Sequence, residues 1–187
     1  MKRTDLSAPS CPVAKSLGRV GERWSILILR DTLSGLTRFD EFERSLGIAP
    51  NMLARRLGEL VGAGMLERVQ YSSRPPRYEY IPTELGWSFR SVVLALAEWG
   101  NAHLSPAGAA IQLVDRVSGQ PARVGMVDLR TGRALTRQQY VMAPGPGADE
   151  AIHRRFAYIE ARGASLEARR TSQDRPSAGP GQARKRR

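Results

Sequence analysis

The chain has 187 residues and a mass of 20.6 kDa, enough for one ordinary domain with an extension and too few for most multidomain enzymes. Its 29 Lys and Arg against 18 Asp and Glu give a net charge of +11, which favours a polyanionic partner. No apolar run is long enough to span a bilayer and no signal peptide is evident, so we expect a cytoplasmic protein that makes no membrane contact.

A flexible arm over residues 1–10 precedes two predicted helices. The first covers residues 12–20 and the second residues 23–34. Large apolar side chains recur on nearly every side of the second helix, as in its segment Ile26 to Leu29. A helix that is apolar all round is typically buried, so we place this one at the centre of the domain.

Two further helices have the spacing of a helix-turn-helix motif. In the first, Phe39, Phe42 and Leu46 recur at intervals of three and four residues, and a glycine follows as a stop. The second begins at Pro50, a residue suited to the first helical position, and runs to residue 63. A turn of only three residues joins the two helices, which fits the motif.

A β-hairpin comes next. Residues 66–71 and 77–81 are rich in β-branched and aromatic side chains, and a loop with two prolines separates them. We expect the prolines to stay outside the strands, because proline cannot donate to the ladder. Arg74 and Arg77 flank the prolines and would lie at the tip of the hairpin.

A long helix over residues 84–104 completes the region, with Thr83 as its cap. Trp87 and Leu94 lie on one side and suggest contact with a second chain. The opposite stripe, which we assign to the core, contains Leu85, Phe89, Val92, Val93, Leu96 and Trp99.

Residues 105–168 form a less regular β/α extension. A Thr-Gly turn at 131–132 predicts one β-hairpin, residues 143–148 form a loop, and a weak helix follows; we find no sustained internal repeat. Residues 169–187 hold 7 basic and 1 acidic side chains, a net charge of +6, whereas residues 11–104 have 12 and 10, a net charge of +2. Because the last segment contains no apolar side chain larger than Ala, we expect a disordered basic tail.

Several short segments, taken in chain order, are distinctive. They are Cys11-Pro12-Val13, Gly21-Glu22-Arg23-Trp24, Arg38-Phe39-Asp40-Glu41-Phe42, Asn51-Met52-Leu53, Gly64-Met65-Leu66 and Thr83-Glu84-Leu85-Gly86. This ordered series resembles the HxlR-type family of bacterial transcriptional regulators over residues 10–104. The resemblance, like the order of the predicted elements, implies a mainly α winged helix-turn-helix fold with a small β-hairpin as the wing. The extension looks like a version of a Cys-containing β unit that some members carry, here without cysteines.

The resemblance also implies a homodimer that binds double-stranded DNA at an inverted-repeat operator. The helix that begins at Pro50 would enter the major groove, where Asn and Arg can pair bidentately with adenine and guanine, and other arginines would bind phosphate. For every one of these side chains, an ordinary solvated surface residue is the alternative. The DNA contacts that we expect are Arg38, Pro50, Asn51, Arg55, Arg56, Arg74 and Arg77.

The first and last helices of the module would form the dimer interface, through Val13, Leu17, Trp87 and Leu94. Cys11 stands at the start of the first helix, where the helix dipole favours a thiolate. It matches the Cys-Pro-Val segment at which several such regulators sense oxidants or electrophiles. A small buried residue at the interface is the alternative for Cys11, and a small-molecule effector is the alternative signal.

An enzymatic function is not indicated. The sequence has no glycine-rich phosphate loop, no nucleophile elbow and no set of residues with metal-ligand spacing, so we expect no catalytic residue, metal or cofactor. A single cysteine also excludes an internal disulfide. We therefore expect a sequence-specific repressor that responds to a small molecule or a redox signal. The alternative is a basic architectural DNA-binding or interaction protein without sequence preference.

Overall fold

In the computed structural model, the described part of the chain is residues 11–173, with side chains over residues 11–163. The arm of residues 1–10 and residues 174–187 of the tail lie outside it. Two compact units divide the chain, the first ending at Tyr140 and the second beginning at Val141. The elements are α1 (Pro12–Val20), α2 (Arg23–Leu33), α3 (Phe39–Leu46), α4 (Pro50–Gly62), β1 (Leu66–Ser73), β2 (Pro76–Pro82), α5 (Glu84–Ser88), α6 (Arg90–Leu104) and α7 (Glu150–Gln173).

The order and type of these elements confirm the predicted winged helix-turn-helix fold. Helix α2 contributes Ile28 and Leu29 to the core, both with no exposed surface, as expected of a central helix. Phe42 of α3 is equally buried, so the pattern read from the sequence is the core-facing stripe of that helix. Three buried leucines of α4 complete the core against α2 and α3: Leu53, Leu57 and Leu60.

The two strands form an antiparallel hairpin in which Arg68 is opposite Tyr80 and Gln70 is opposite Tyr78. Both strands are longer than predicted, and prolines occupy the two ends of β2. The expectation that both loop prolines stay outside the strands is therefore wrong for Pro76, which is the first residue of β2, a position where a missing N–H group is tolerated. The backbone N–H of Tyr80 donates to the carbonyl oxygen of Thr37 at 2.8 Å, so β2 is also tied to the chain just before α3.

The predicted long helix is divided into α5 and α6 at Phe89. Thr83 caps α5 as predicted, because its hydroxyl oxygen accepts the N–H of Gly86 at 3.1 Å. At the division, the N–H of Phe89 donates to the carbonyl of Gly86, three residues back, and Val92 does the same to Phe89. These tighter turns end one helical segment and start the next.

Two short turns of the same construction lie between α6 and α7. Asp115 and Asp128 occupy equivalent places, thirteen residues apart, in the motif Val-Asp-x-x-(Ser/Thr)-Gly. Each carboxylate accepts backbone N–H groups and a hydroxyl from the residues that follow, which lowers the pKa of both aspartates. The second turn is the predicted one at residues 131–132. The first turn was not predicted, and isolated bridges rather than strands flank both turns.

Helix α7 confirms the weak helical pattern of the extension and continues into the segment that the sequence assigns to the tail. Its last residue is Gln173, so residues 169–173 are helical rather than irregular. The reason is local: Ala, Leu, Glu and Arg dominate the segment before residue 171, and these residues have high helix propensity.

Candidate nucleic-acid interface

The recognition helix, as we call α4, has one buried and one exposed side. Asn51 and Arg55 are exposed one turn apart, on the side opposite the three buried leucines. The helix begins at Pro50, and its N-cap residue Ala49 provides no side-chain hydrogen bond. Proline's fixed φ therefore substitutes for a polar cap at this end. Both candidate base-reading side chains lie in the first two turns of the helix.

Arg55 is only loosely held within its own helix. Its side chain is 57% exposed, and its Nε atom lies 4.0 Å from an oxygen of Glu59. The Nη2 atom lies 3.5 Å from the sulfur of Met52. A surface ion pair at the upper limit of distance contributes little free energy, so the guanidinium can leave it for a stronger anionic or nucleobase partner.

Arg56, the neighbouring residue, corrects an expectation taken from the sequence. Its side chain is 4% exposed and forms ion pairs with Glu22 at 3.2 Å and Glu59 at 2.5 Å. Helix geometry turns consecutive residues about 100° apart, which places Arg56 toward the protein while Arg55 points to solvent. A buried and doubly paired guanidinium is not available to a phosphate, so Arg56 is a structural residue.

Arg38 lies just before α3, where the hairpin meets the helix-turn-helix motif. Its Nε atom donates to Glu79 of β2 at 3.1 Å, and its guanidinium lies 4.6 Å from the ring centroid of Tyr71. The hydrogen bond to Glu79 raises the pKa of Arg38 further. About half of the side chain remains exposed, so Arg38 joins the hairpin to α3 and still presents positive charge to solvent.

Arg74 and Arg77 are exposed on the hairpin, as predicted. Arg74 lies in the turn between the strands, and Arg77 is opposite Ser72 in the ladder. Within residues 11–163, neither guanidinium forms an ion pair. The pair therefore contributes uncompensated positive charge at the end of the hairpin.

Arg68 and Tyr78 form a contact that sequence reasoning missed. The guanidinium of Arg68 lies 3.5 Å from the ring centroid of Tyr78, a stacked cation–π arrangement. The two residues are diagonal neighbours across the hairpin. The predicted pairing of residues 66–71 with 77–81 could therefore have indicated this contact. Both line an open groove, the hairpin groove, whose arginines and tyrosines are Arg38, Arg68, Arg77, Tyr71, Tyr78 and Tyr80.

The predicted dimer contacts are placed unevenly. Val13 and Leu17 of α1 and Trp87 of α5 are exposed, whereas Leu94 is half-buried. Within the stripe that the sequence assigns to the core, Phe89 packs against the buried residues as predicted, but α6, which follows it, has no buried residue. The exposed members of the stripe are Leu85 of α5 and Val92, Leu96 and Trp99 of α6. Sequence periodicity found the stripe, but it could not distinguish a buried apolar face from an exposed one.

Cys11 is the N-cap residue of α1 and is half-buried. This position at the positive end of a helix agrees with the sequence-based argument for thiolate stabilisation. Its role as a sensor stays a prediction. Over the described residues, no three His, Cys, Asp or Glu side chains are grouped as metal ligands would be. None of the helices described is both long and apolar enough to cross a membrane.

The sequence pattern of the HxlR-like helix-turn-helix family matches residues 19–107. The same residues hold the buried core, the recognition helix and the hairpin. The chain belongs to the HxlR-like family. It is therefore a DNA-binding transcriptional regulator of the helix-turn-helix type, and it is not an enzyme.

Curated relatives agree with the HxlR-like assignment. The chain is 38% identical over 136 residues to an uncharacterized HTH-type transcriptional regulator of Mycobacterium tuberculosis, Rv3095, covering 72% of this chain and 86% of that protein. It is also 38% identical over 100 residues to the regulator YtfH of Escherichia coli, covering 53% and 79%. These names denote regulators and give no operator or signal.

Two solved structures share more than the family module. PA1374 from Pseudomonas aeruginosa, described as a candidate transcription factor, is 55% identical with a TM-score of 0.57 and covers 78% of this chain and 99% of its own. PA1607, described in the same way, is 36% identical with a TM-score of 0.68 and covers 76% and 100%. The HxlR-like match ends at residue 107. Coverage of this extent must therefore include part of the extension.

Proposed function

We propose that this HxlR-like protein is a homodimeric repressor that binds an inverted-repeat operator. The observation that carries the proposal is the outward placement of Asn51 and Arg55 on the recognition helix, opposite its buried leucines. Asn pairs with adenine and Arg with guanine through two hydrogen bonds each, and the N-terminal part of such a helix is the part that reaches base edges. Arg38, Arg74 and Arg77 would add phosphate contacts beside it.

The homodimer is supported by an unburied apolar surface on α1 and α6. Trp99 is 56% exposed and Leu96 is 47% exposed in the single chain, and α6 buries none of its fifteen residues. An apolar helix face of this kind is unfavourable in water and marks an interaction surface. A second copy with the same exposed face would cover it in an isologous contact.

Sequence preference can be tested by selecting binding sequences from random duplex DNA with the full-length protein. We expect a palindrome whose half-sites lie about one helical turn apart, as two recognition helices in successive major grooves require. Asn51→Ala and Arg55→Ala should each change the preferred bases within a half-site, while Arg116→Ala, an exposed arginine of the extension, should not. Selection that returns no palindrome would contradict the proposal.

Competition with unrelated DNA separates this function from the alternative of an architectural protein. A sequence-specific regulator keeps its operator in the presence of excess unrelated duplex, whereas a protein without preference is displaced in proportion to competitor. A proportional loss would favour the architectural function over the regulator.

We also propose that the operator affinity responds to a redox or electrophilic signal at Cys11, with a small-molecule effector as the alternative. Support comes from the position of the thiol as the N-cap of α1, a helix that exposes the apolar side chains of Val13 and Leu17. Treatment with peroxide or an aldehyde should lower operator affinity of the wild type and leave Cys11→Ser unchanged. Equal responses in both proteins would remove Cys11 from the proposal.

A further inference from the structure

The hairpin groove lies where the hairpin meets the start of α3, and it has a volume of about 620 Å³. Three arginines and three tyrosines dominate its lining, and Asp40 is the carboxylate among the lining residues. Asp40 is paired at 2.8 Å with Arg44, which lies outside the groove. The nearby Glu79 is paired with Arg38. Asp40 and Glu79 are therefore already paired with Arg44 and Arg38.

Arg68 and Arg77 contrast with this pairing, because neither forms an ion pair with another described residue. Both are exposed, so their charge faces the groove without a counter-ion from the fold. Two guanidiniums without an ion-pair partner, in a groove also lined by tyrosines, form a surface suited to an anion that accepts several hydrogen bonds.

The stacking of Arg68 on Tyr78 adds orientation to this charge. A guanidinium whose carbon lies 3.5 Å from a ring centroid has one face covered, and the N–H groups in its plane donate to no other described residue. Such an arrangement reduces the side-chain freedom that is lost when a ligand binds. A planar donor edge in a fixed position is the geometry that recognises two oxygens of one phosphate.

The open form of the groove distinguishes between kinds of anion. Sites for small molecules typically bury about 70–90% of the ligand surface, which an open and polar groove cannot do. A polymer strand needs contact along one side only and continues beyond the groove at both ends. The arginines of the hairpin end, Arg74 and Arg77, extend the positive charge from the groove along such a path.

We infer that the hairpin groove holds a phosphodiester segment of the operator DNA, and that Arg68, stacked on Tyr78, contacts a phosphate there. This inference rests on the proposed function and adds to it two residues outside the recognition helix. It assigns Arg68 a positioning contact that carries no base information, in contrast to Asn51 and Arg55.

The test measures binding of the full-length protein to its selected operator and to a scrambled duplex by fluorescence anisotropy, over a range of salt concentrations. Arg68→Ala should weaken binding to both duplexes by about tenfold, the effect expected when a charge-assisted hydrogen bond is lost. The slope of log K against log[salt] should become shallower by about 0.9 for each protomer that loses a phosphate contact. The ratio of the two affinities should stay constant.

Two further variants separate charge from geometry. Arg68→Lys keeps the charge and should keep the salt slope, while its affinity falls because the planar fork is lost. Tyr78→Leu removes the stacking partner of Arg68 and keeps Arg68 itself. It should lower the affinity for both duplexes. Arg116→Ala is the control for the loss of one exposed arginine and should bind as the wild type does.

Wild-type affinity and slope in Arg68→Ala would overturn the inference, and so would a loss confined to the operator, which would indicate base reading. If Arg68→Ala does not fold by circular dichroism, Arg68→Lys and Tyr78→Leu decide the question by the same two readouts. Failure of the proposed function is recognised separately. If the proposed function is wrong, Asn51→Ala and Arg55→Ala will select the same bases as the wild type. This outcome does not depend on the result for the Arg68 variants.

Discussion

Arg56 of the recognition helix and Glu22, the N-cap residue of α2, form an ion pair of 3.2 Å at the corner between α1 and α2. A second polar contact ties the same corner to the end of the recognition helix, where Arg19 donates to the carbonyl oxygen of Ala63 at 3.0 Å. Together the two contacts fix the recognition helix at its middle and at its end. Its orientation therefore depends on the corner that follows α1, the helix with Cys11 at its start.

Replacement of Arg56 is expected to lower the stability of the fold. Arg56→Ala leaves two carboxylates without their buried partner and removes a long side chain from the interior. The carboxylates left behind are 39% and 41% exposed and can be hydrated, so no charge is left buried, and we expect a loss of about 1–3 kcal/mol from the missing ion pairs and packing. Urea denaturation measures the change.

The adjacent Arg55 is the matched control for this prediction. Arg55→Ala should alter the free energy of unfolding by no more than about 0.5 kcal/mol, as is usual for surface substitutions. It should instead reduce affinity for the operator. A stability loss of the same size in both variants would contradict the different roles assigned to the two neighbours.

The apolar face of α6 predicts the effect of a charge at Trp99. Trp99→Arg should convert the proposed homodimer to a monomer, because a charged side chain would be buried against the same residue or its neighbours in the partner. Sedimentation velocity measures the change, and operator affinity should fall with it. Val117→Arg, at a fully exposed turn of the extension, should leave the dimer intact. A dimeric Trp99→Arg would place the interface elsewhere.

We expect that replacement of Gly86 by any residue with a side chain destabilises the fold. A Cβ atom there would overlap the carbonyl oxygen of Met65, which also accepts the N–H of Thr83 at 3.1 Å. Gly86→Ala should therefore destabilise the protein by about 1–3 kcal/mol, as overpacking generally does. Thermal or urea unfolding measures this loss.

Gly58 offers the opposite case inside the recognition helix. Apart from its chain neighbours and the backbone of its own helix, no atom lies within 4 Å of the place where its Cβ would be. Gly58→Ala should stabilise the protein by about 0.5–1 kcal/mol, because alanine loses less backbone entropy in a helix. Equal effects of the two substitutions would show that the backbone contact at Gly86 does not limit packing.

Glu41 predicts part of the pH dependence of stability. Its carboxylate accepts the N–H groups of Arg38 and Thr37 at 2.9 Å each, and these hydrogen bonds lower its pKa in the folded state. A group with a lowered folded pKa stabilises the fold at pH values above its unfolded pKa, about 4.3. That contribution is lost as the pH falls from there through the folded value.

Glu41→Gln should consequently be less stable than the wild type at pH 7, with a difference that shrinks below about pH 4. Urea midpoints at pH 7 and pH 3 measure the two differences. A constant difference at both pH values would show that the charge of Glu41 contributes nothing beyond its shape.

The sequence by itself determined the fold and the class of function. Periodic apolar residues, the proline that starts the recognition helix, the hairpin and the ordered family segments depend on neighbours a few positions apart, so they can be read without coordinates. The net charge of +11 pointed to a polyanion but not to its site, because only +2 of it lies in residues 11–104.

Only the tertiary structure decided which arginines are free. Arg55 and Arg56 are equivalent in composition and adjacent in sequence, yet one is exposed and the other is enclosed by Glu22 and Glu59. Arg68 became a candidate DNA contact only because its guanidinium stacks on Tyr78 of the opposite strand. The stripe along α5 and α6 was found as a pattern and placed in the core, yet Phe89 packs against the core while Val92, Leu96 and Trp99 are exposed. Local sequence determines which helices and strands form. The pairing and burial of a side chain depend on residues distant in sequence that the fold brings together.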